Sequence, residues 1–271
     1  MIKYFGYGSN MDFTSLRAKG VVPSASQRAA LKGWRLRFNV EHFFRHEGGV
    51  GNIEHTGNPT DEVLGVLHYC DENDLAALDQ VEAYGIGYDR IDVDLETSIG
   101  LERGLAYMGL PRYVNQECLP TRRYLNILVR GAIAAKIDRA YIDKLKNHPV
   151  LEPLDLQPFE PAATKTTFCS SDLEPPLTVL AGHVFDMSNA RAAHDIPKDW
   201  FGGKDVTVFH LRRMDSSDGT ENLENVIDDR LSTGQRVYLN RYLHAFDEEY
   251  DYVGRFDYAS LPPEKQFGST G

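Results

Sequence analysis

Two stretches of this sequence combine residue types that do chemistry. In DENDLAALDQVEA (residues 71–83), Leu75, Leu78, Asp79 and Glu82 fall at i, i+3, i+4 and i+7, along one stripe of a helix. Glu82 thus shares a face with two leucines, and a carboxylate carried toward a core loses hydration and becomes a better proton acceptor. Asp79, on the same stripe, reads as the edge of a solvated face. The second stretch is YFGYGSN (residues 4–10), an apolar strand running into two glycines, a serine and an asparagine. Glycine reaches φ values closed to other residues and lets a ligand approach the backbone. A helix is predicted from about Asp12, so loop N–H groups near its start suit a carboxylate or phosphate. The loop has neither the Lys-Ser/Thr ending of a P-loop nor GxGxxG spacing. By pattern alone an anion cradle and a simple turn capped by Ser9 and Asn10 are equally open.

Other reactive residues point to little. His42 and His46 have the i, i+4 spacing of metal ligands but no HExxH context, and are read as surface histidines. Cys70, Cys118 and Cys169 are odd in number without CxxC spacing, the pattern of reduced thiols, and no metal site is expected. A formal net charge of −11 argues against a phosphate-neutralising surface, so nucleic acid is not an expected partner.

The elements that must position these residues follow from local pattern. IKYFGY, EVLGVLHYC, YDRIDVDLE and RGLAYMGL are β-branched and aromatic-rich and read as strands. DENDLAALDQVEA and TRRYLNILVRGAIAAK read as helices, with Asp71 and Thr121 as N-caps. Strands with interspersed helices predict an α+β fold, a mixed barrel or sheet. Pro149, Pro153, Pro158, Pro161, Pro175 and Pro176 crowd one segment, which predicts an extended connector and a domain boundary. The domains expected are 1–150, a linker 151–176, a second domain 177–258 and a tail 259–271. Beyond the boundary, TVLAGHVFDMSNA reads as a strand pair with a glycine turn. STGQRVYLNRYLHAFDEEY reads as a closing helix whose apolar face is Leu239, Tyr242, Leu243, Phe246 and Tyr250. No charged leader precedes a long apolar run, so no membrane contact and a cytoplasmic location are expected.

Taken in order, YFGYGSN, GGVGNI, DEVLGVLHY, ALDQVEAYGIGYDR and PTRRYLNILVRGA resemble the γ-glutamylcyclotransferases over about residues 2–148. The resemblance implies a small mixed β-barrel with flanking helices. It also implies a reaction in which the α-amine of a small γ-glutamyl compound attacks its own γ-carbonyl, releasing 5-oxoproline and an amine, without a cofactor. Carried over to this chain, it makes Glu82 the general acid/base and Gly6, Tyr7, Gly8, Ser9 and Asn10 the substrate loop. Tyr88, Tyr107 and Tyr124 would line the pocket, each with an alternative reading as a core aromatic. Ala83 departs from the family, which commonly has glycine after the glutamate, and this bears on substrate choice.

The C-terminal part is similar, over about residues 178–256, to the cytochrome b5-like heme/steroid-binding domains of the membrane-associated progesterone receptor family, through LAGHVFDMSNAR, WFGGKDVT, DDRLSTGQRVYLNRYL and FDEEYDYVGRF. In that family a tyrosine before the FAG[KR]D turn ligates heme. Lys198 stands nearest that position here, and His194 is the nearby alternative ligand or, as a histidine on a polar loop, simply solvated. Asp205 and Tyr250 fall at family pocket positions. Heme is a hypothesis for this part, beside a pocket for another apolar ligand or a partner-binding module. The rival to an enzyme is accordingly a non-catalytic binding or sensory protein. The leaving amine, the oligomeric state and any coupling between domains are not readable from the sequence.

Overall fold

The computed structural model describes residues 1–163 and 166–262. The chain divides into two compact units, Met1–Pro153 and Leu154–Gly271. The expected tail, 259–271, is described only as far as Pro262.

The first unit is a closed five-stranded barrel. Its elements run β1 (Ile2–Gly6), α1 (Phe13–Arg17), β2 (Ala25–Lys32), β3 (Trp34–Glu41), β4 (Gly49–His55), β5 (Glu62–Cys70), α2 (Glu72–Val81), β6 (Tyr88–Thr97), β7 (Gly100–Gly109), α3 (Arg122–Ala134) and α4 (Arg139–Lys146). The barrel order is β1-β5-β2-β6-β7, and a parallel contact of Tyr4 with Leu105 closes β1 on β7. A separate β3-β4 hairpin packs beside it. Closure removes the exposed sheet edges that would otherwise invite pairing with other chains.

Strands β1, β5, β6 and β7 lie where alternation and β-branched content predict them. β2, β3 and β4 were not anticipated. In β2 the sequence ASQRAALK has low strand propensity, yet all eight residues pair with β5 while Ala29 and Leu31 enter the barrel core. Tertiary pairing overrides propensity there. The barrel interior is filled by Phe5, Leu31, Val63, Leu67, Val93 and Leu95. Helix α3 begins at Thr121, whose hydroxyl accepts from the Tyr124 N–H at 3.2 Å. It lays Leu125 and Leu128, both fully buried, against the barrel wall and α4. Each such leucine contributes about 1.5–3 kcal/mol. α2 starts with a capping box in which the Asp71 and Asp74 side chains each accept the other's backbone N–H.

The second unit contains β8 (Thr167–Phe168), β9 (Leu177–Leu180), β10 (His183–Asp186), α5 (Asp195–Phe201), β11 (Lys204–Asp205), α6 (Thr207–Leu211), α7 (Leu223–Ile227), α8 (Thr233–Glu249) and β12 (Asp251–Phe256). Its sheet order is β11-β9-β10-β12-β8. The β9-β10 turn uses Ala181 and Gly182, both at positive φ, as a tight hairpin of this hand requires. α8 is capped by Ser232 and Gln235, and the apolar face read from the sequence is buried. The proline-rich segment is not simply a connector. Phe159 sits among His183, Phe185, His244 and Tyr252, and its N–H donates to Asn240 Oδ1 of α8 at 2.7 Å. An aromatic in a run of prolines and acids found a pocket that no local pattern announces. Among the described residues, no helix is long and apolar enough to cross a membrane.

Candidate active site

The 7–10 loop leaves β1 and folds at once into a single 3-10 turn, Ser9–Met11, followed by α1 with Asp12 as N-cap, its carboxylate accepting from the Ser15 N–H at 2.8 Å. Positive φ, one of the two reasons expected for glycine here, does not apply. Neither Gly6 nor Gly8 has positive φ, and Gly8 lies at φ −107°. Close approach is the constraint: a Cβ on Gly8 would stand 2.9 Å from the Tyr124 hydroxyl, and one on Gly6 would stand 2.9 Å from the Asn10 carbonyl oxygen. Among the described residues, the amide N–H groups of Gly8 and Asn10 have no protein acceptor.

Helix α3 braces this loop at three points. Tyr124 abuts Gly8. Gly131 lets the helix backbone reach Met11 and Asp12, since a Cβ there would lie 2.6 Å from the Asp12 nitrogen. Arg130 makes a bidentate pair with the Asp12 carboxylate, at 2.7 and 2.8 Å.

Glu82 closes α2 as its C-cap, one turn beyond the fully buried Leu78. Its side chain retains 17% exposure, and its Oε1 accepts from Asn10 Nδ2 at 2.9 Å. The same Asn10 nitrogen lies 2.5 Å from the Tyr4 hydroxyl. Lys19 Nζ stands 3.6 Å from Glu82 Oε1 and also bonds Asn10 Oδ1 and Ser9 Oγ. Among the described residues Glu82 Oε2 has no protein partner.

Tyrosines surround this group. Tyr7 donates to the Tyr107 carbonyl at 2.5 Å, Tyr88 donates to the Gly51 carbonyl at 2.8 Å, and Tyr124 accepts from the Gly51 N–H at 2.9 Å. Burial first, and the nearby Glu82 charge among the further causes, raise the hydroxyls of Tyr4, Tyr7, Tyr88, Tyr107 and Tyr124 above the ordinary phenol range. They are neutral hydrogen-bonding groups near neutral pH, not bases. Tyr107 donates to Asp79 Oδ1 at 2.7 Å, so Asp79 is a partner inside the structure rather than the solvated edge read from the helix pattern. Gly6, Tyr7, Gly8, Ser9, Asn10, Glu82, Tyr88, Tyr107 and Tyr124 therefore converge.

Sequence reasoning missed four contributors. Tyr4 alternates with Phe5 on β1 and could have been found from period 2. Gly51 stands inside GGVGNI. His68 is fully buried on β5, bonded to Ser26 Oγ at 2.8 Å and the Asn10 carbonyl at 2.9 Å, and burial lowers its pKa to about 4. Lys19 carries no local signal.

The structure also bears on other residues singled out in the sequence. His42 and His46 are half-buried rather than surface groups, and they flank the buried Glu47. Although burial opposes its ionisation, the Arg123 guanidinium and these two imidazoles hold the Glu47 carboxyl well below its ordinary value. Ala83 occupies a left-handed conformation, φ +50°, which explains why glycine suits that position. In the second unit His194 is not on a solvated loop: it is fully buried, its Nδ1 2.8 Å from the Tyr250 hydroxyl and its Nε2 3.2 Å from Arg191. Its Nε2 also lies 3.6 Å from Glu249 Oε2, so both ring nitrogens are engaged by protein groups. Neither nitrogen is presented to a heme iron, and the residue as arranged does not fit an axial ligand. Asp205 pairs instead with Tyr258 at 2.7 Å and caps Thr207. His194 and Tyr250 come together, while Asp205 belongs to a different hydrogen-bond set.

Comparison with known proteins finds similarity in the N-terminal part of the chain. Residues 62–145 match the model of the AIG2-like family, which supports an AIG2-like fold for the first unit. A curated relative, the gamma-glutamyl cyclotransferase aclK of Aspergillus oryzae, is 24% identical over 173 residues, covering 56% of this chain and 63% of that protein. This chain thus spans less than two thirds of the relative's length. Among solved structures, an uncharacterised human protein is similar at 26% identity and a TM-score of 0.47, covering 58% of this chain and 90% of its own. A structure described as gamma-glutamyl cyclotransferase is similar at 26% identity and a TM-score of 0.47, covering 57% and 90%.

Proposed function

We propose that this protein is a γ-glutamylcyclotransferase acting on a small γ-glutamyl compound. The observation that carries the reading is the meeting of one acid with the glycine loop: Glu82 Oε1 is held by Asn10 while Oε2 is left for a substrate proton. In this reaction the substrate α-ammonium, with an ordinary pKa near 8, loses a proton to Glu82. The amine then attacks the γ-carbonyl carbon, and a five-membered ring closes. The C–N bond to the leaving amine breaks as Glu82 returns the proton to that nitrogen, and the second proton of the ring nitrogen passes to the departing amine, which leaves as its ammonium ion. The products are 5-oxoproline and the released amine. The N–H groups of Gly8 and Asn10 would anchor the substrate carboxylate or the developing oxyanion. Holding the substrate curled supplies much of the acceleration, because intramolecular attack in good geometry reaches effective molarities of about 10⁵ M or more.

For the C-terminal unit a cytochrome b5-like module is likewise proposed. The strand pair β9-β10, the edge strand β11 between α5 and α6, the long helix α8 and the returning strand β12 support it, without a role for His194 as a metal ligand.

The test is release of 5-oxoproline from a panel of γ-glutamyl dipeptides, γ-glutamylamines and glutathione. Glu82→Gln should bind substrate and melt like wild type, yet lose about 10²–10⁴-fold in turnover. Wild-type-like turnover by the variant would remove Glu82 from the chemistry. A folded wild type inert toward the whole panel would favour a binding protein.

A further inference from the structure

Lys19 lies nine residues beyond Asn10, past the short α1 helix, and its side chain is only 9% exposed. A lysine this enclosed must be paired, and three of its contacts belong to the candidate site: Ser9 Oγ at 3.3 Å, Asn10 Oδ1, and Glu82 Oε1 at 3.6 Å. The direction of these contacts matters. An ammonium has three donors and no acceptor, so Asn10 must present its carbonyl oxygen to Lys19. Its NH₂ group is then turned toward Glu82 Oε1 and the Tyr4 hydroxyl. The opposite rotation would put the amide oxygen against the carboxylate and its NH₂ against the ammonium, two repulsive contacts in place of two attractive ones.

We propose, resting on the cyclotransferase reading, that Lys19 is a positioning residue that acts through Asn10. It fixes the sense of the Asn10 amide, which pins one carboxylate oxygen of Glu82 and leaves the other aimed at the substrate amine. Because Lys19 is engaged by Ser9, Asn10 and Glu82 of the protein itself, it contributes to turnover rather than to substrate affinity.

The experiment measures kcat and KM for 5-oxoproline release by wild type, Lys19→Met, Lys19→Arg, Asn10→Ala and Lys19→Met/Asn10→Ala, with thermal melts of each. Lys19→Met should lower kcat by about tenfold with KM changed by less than about twofold, since loss of alignment is felt in the transition state. Lys19→Arg, which keeps a cation that only donates, should retain kcat within about threefold, and it carries the test if the methionine variant is poorly folded. The double variant should be no slower than Asn10→Ala, because both substitutions remove one device. A rise in KM at constant kcat, or additive losses in the double variant, would overturn the proposal while leaving Glu82→Gln inactive and the cyclotransferase reading intact. A wild type without turnover would overturn both together.

Discussion

Position 8 is confined by one hydroxyl, and this can be measured without reference to activity. A Cβ at position 8 would meet the Tyr124 hydroxyl at 2.9 Å, and no other atom within 4 Å outside its immediate chain neighbours; ordinary contact begins near 3.4 Å. The hydroxyl or the loop must therefore retreat by about half an ångström. Tyr124 is 8% exposed, and its hydroxyl also accepts from the Gly51 N–H, so it yields poorly. Gly8→Ala should cost about 1–2 kcal/mol through overpacking. Tyr124→Phe should cost about 1–2 kcal/mol by leaving the Gly51 N–H without its acceptor. In the double variant the methyl group enters the space vacated by the oxygen. Its loss should fall short of the sum by about 1 kcal/mol, well outside the roughly 0.3–0.5 kcal/mol scatter of independent sites. Any other consequence of a methyl at position 8 occurs in both legs of the cycle and cancels. Urea unfolding of the four proteins reads this coupling. Additive losses would mean that the Tyr124 hydroxyl is not what excludes a side chain at position 8.

Two further substitutions test neighbouring features. Ala83→Gly should raise stability to urea by about half a kcal/mol, because leaving the φ of +50° relieves about 1–2 kcal/mol of left-handed strain while the freer unfolded chain takes back about 0.4–1 kcal/mol; a clear loss would show that the alanine is unstrained. His68 has its folded-state pKa lowered by burial to about 4, so between about pH 6.5 and 4 the unfolded chain binds the extra proton and stability falls as pH falls. This histidine alone should remove about 3 kcal/mol over that window. The stability gap between wild type and His68→Gln should narrow from pH 7 to pH 4.5, and a gap independent of pH would refute the assignment.

Local chemistry was enough to find α2, α3, α8 and most of the barrel. Asp71, Thr121 and Ser232 cap the helices they begin, and β-branched alternation marks β5, β6 and β7, because these preferences act within a few residues of chain. Glu82 and the 7–10 loop could be singled out from residue types and spacing, together with the resemblance of ordered blocks. The sequence could not say why those glycines are needed, since the answer is the hydroxyl of Tyr124 on a distant helix. Nor could it reveal that Arg130 grips Asp12 across 118 residues, that Tyr107 engages Asp79, or that Lys19 sets the direction of Asn10. β2 was hidden because its residues favour a strand only once β5 lies beside them. His194 was misjudged because a polar neighbourhood in the chain says nothing about a buried partner 56 residues later. The sequence by itself determined the turns, the caps and the residue types available for catalysis. Only tertiary packing decided which of them meet, because side-chain contacts between distant segments depend on a closed barrel and on helix α3 lying against its loop.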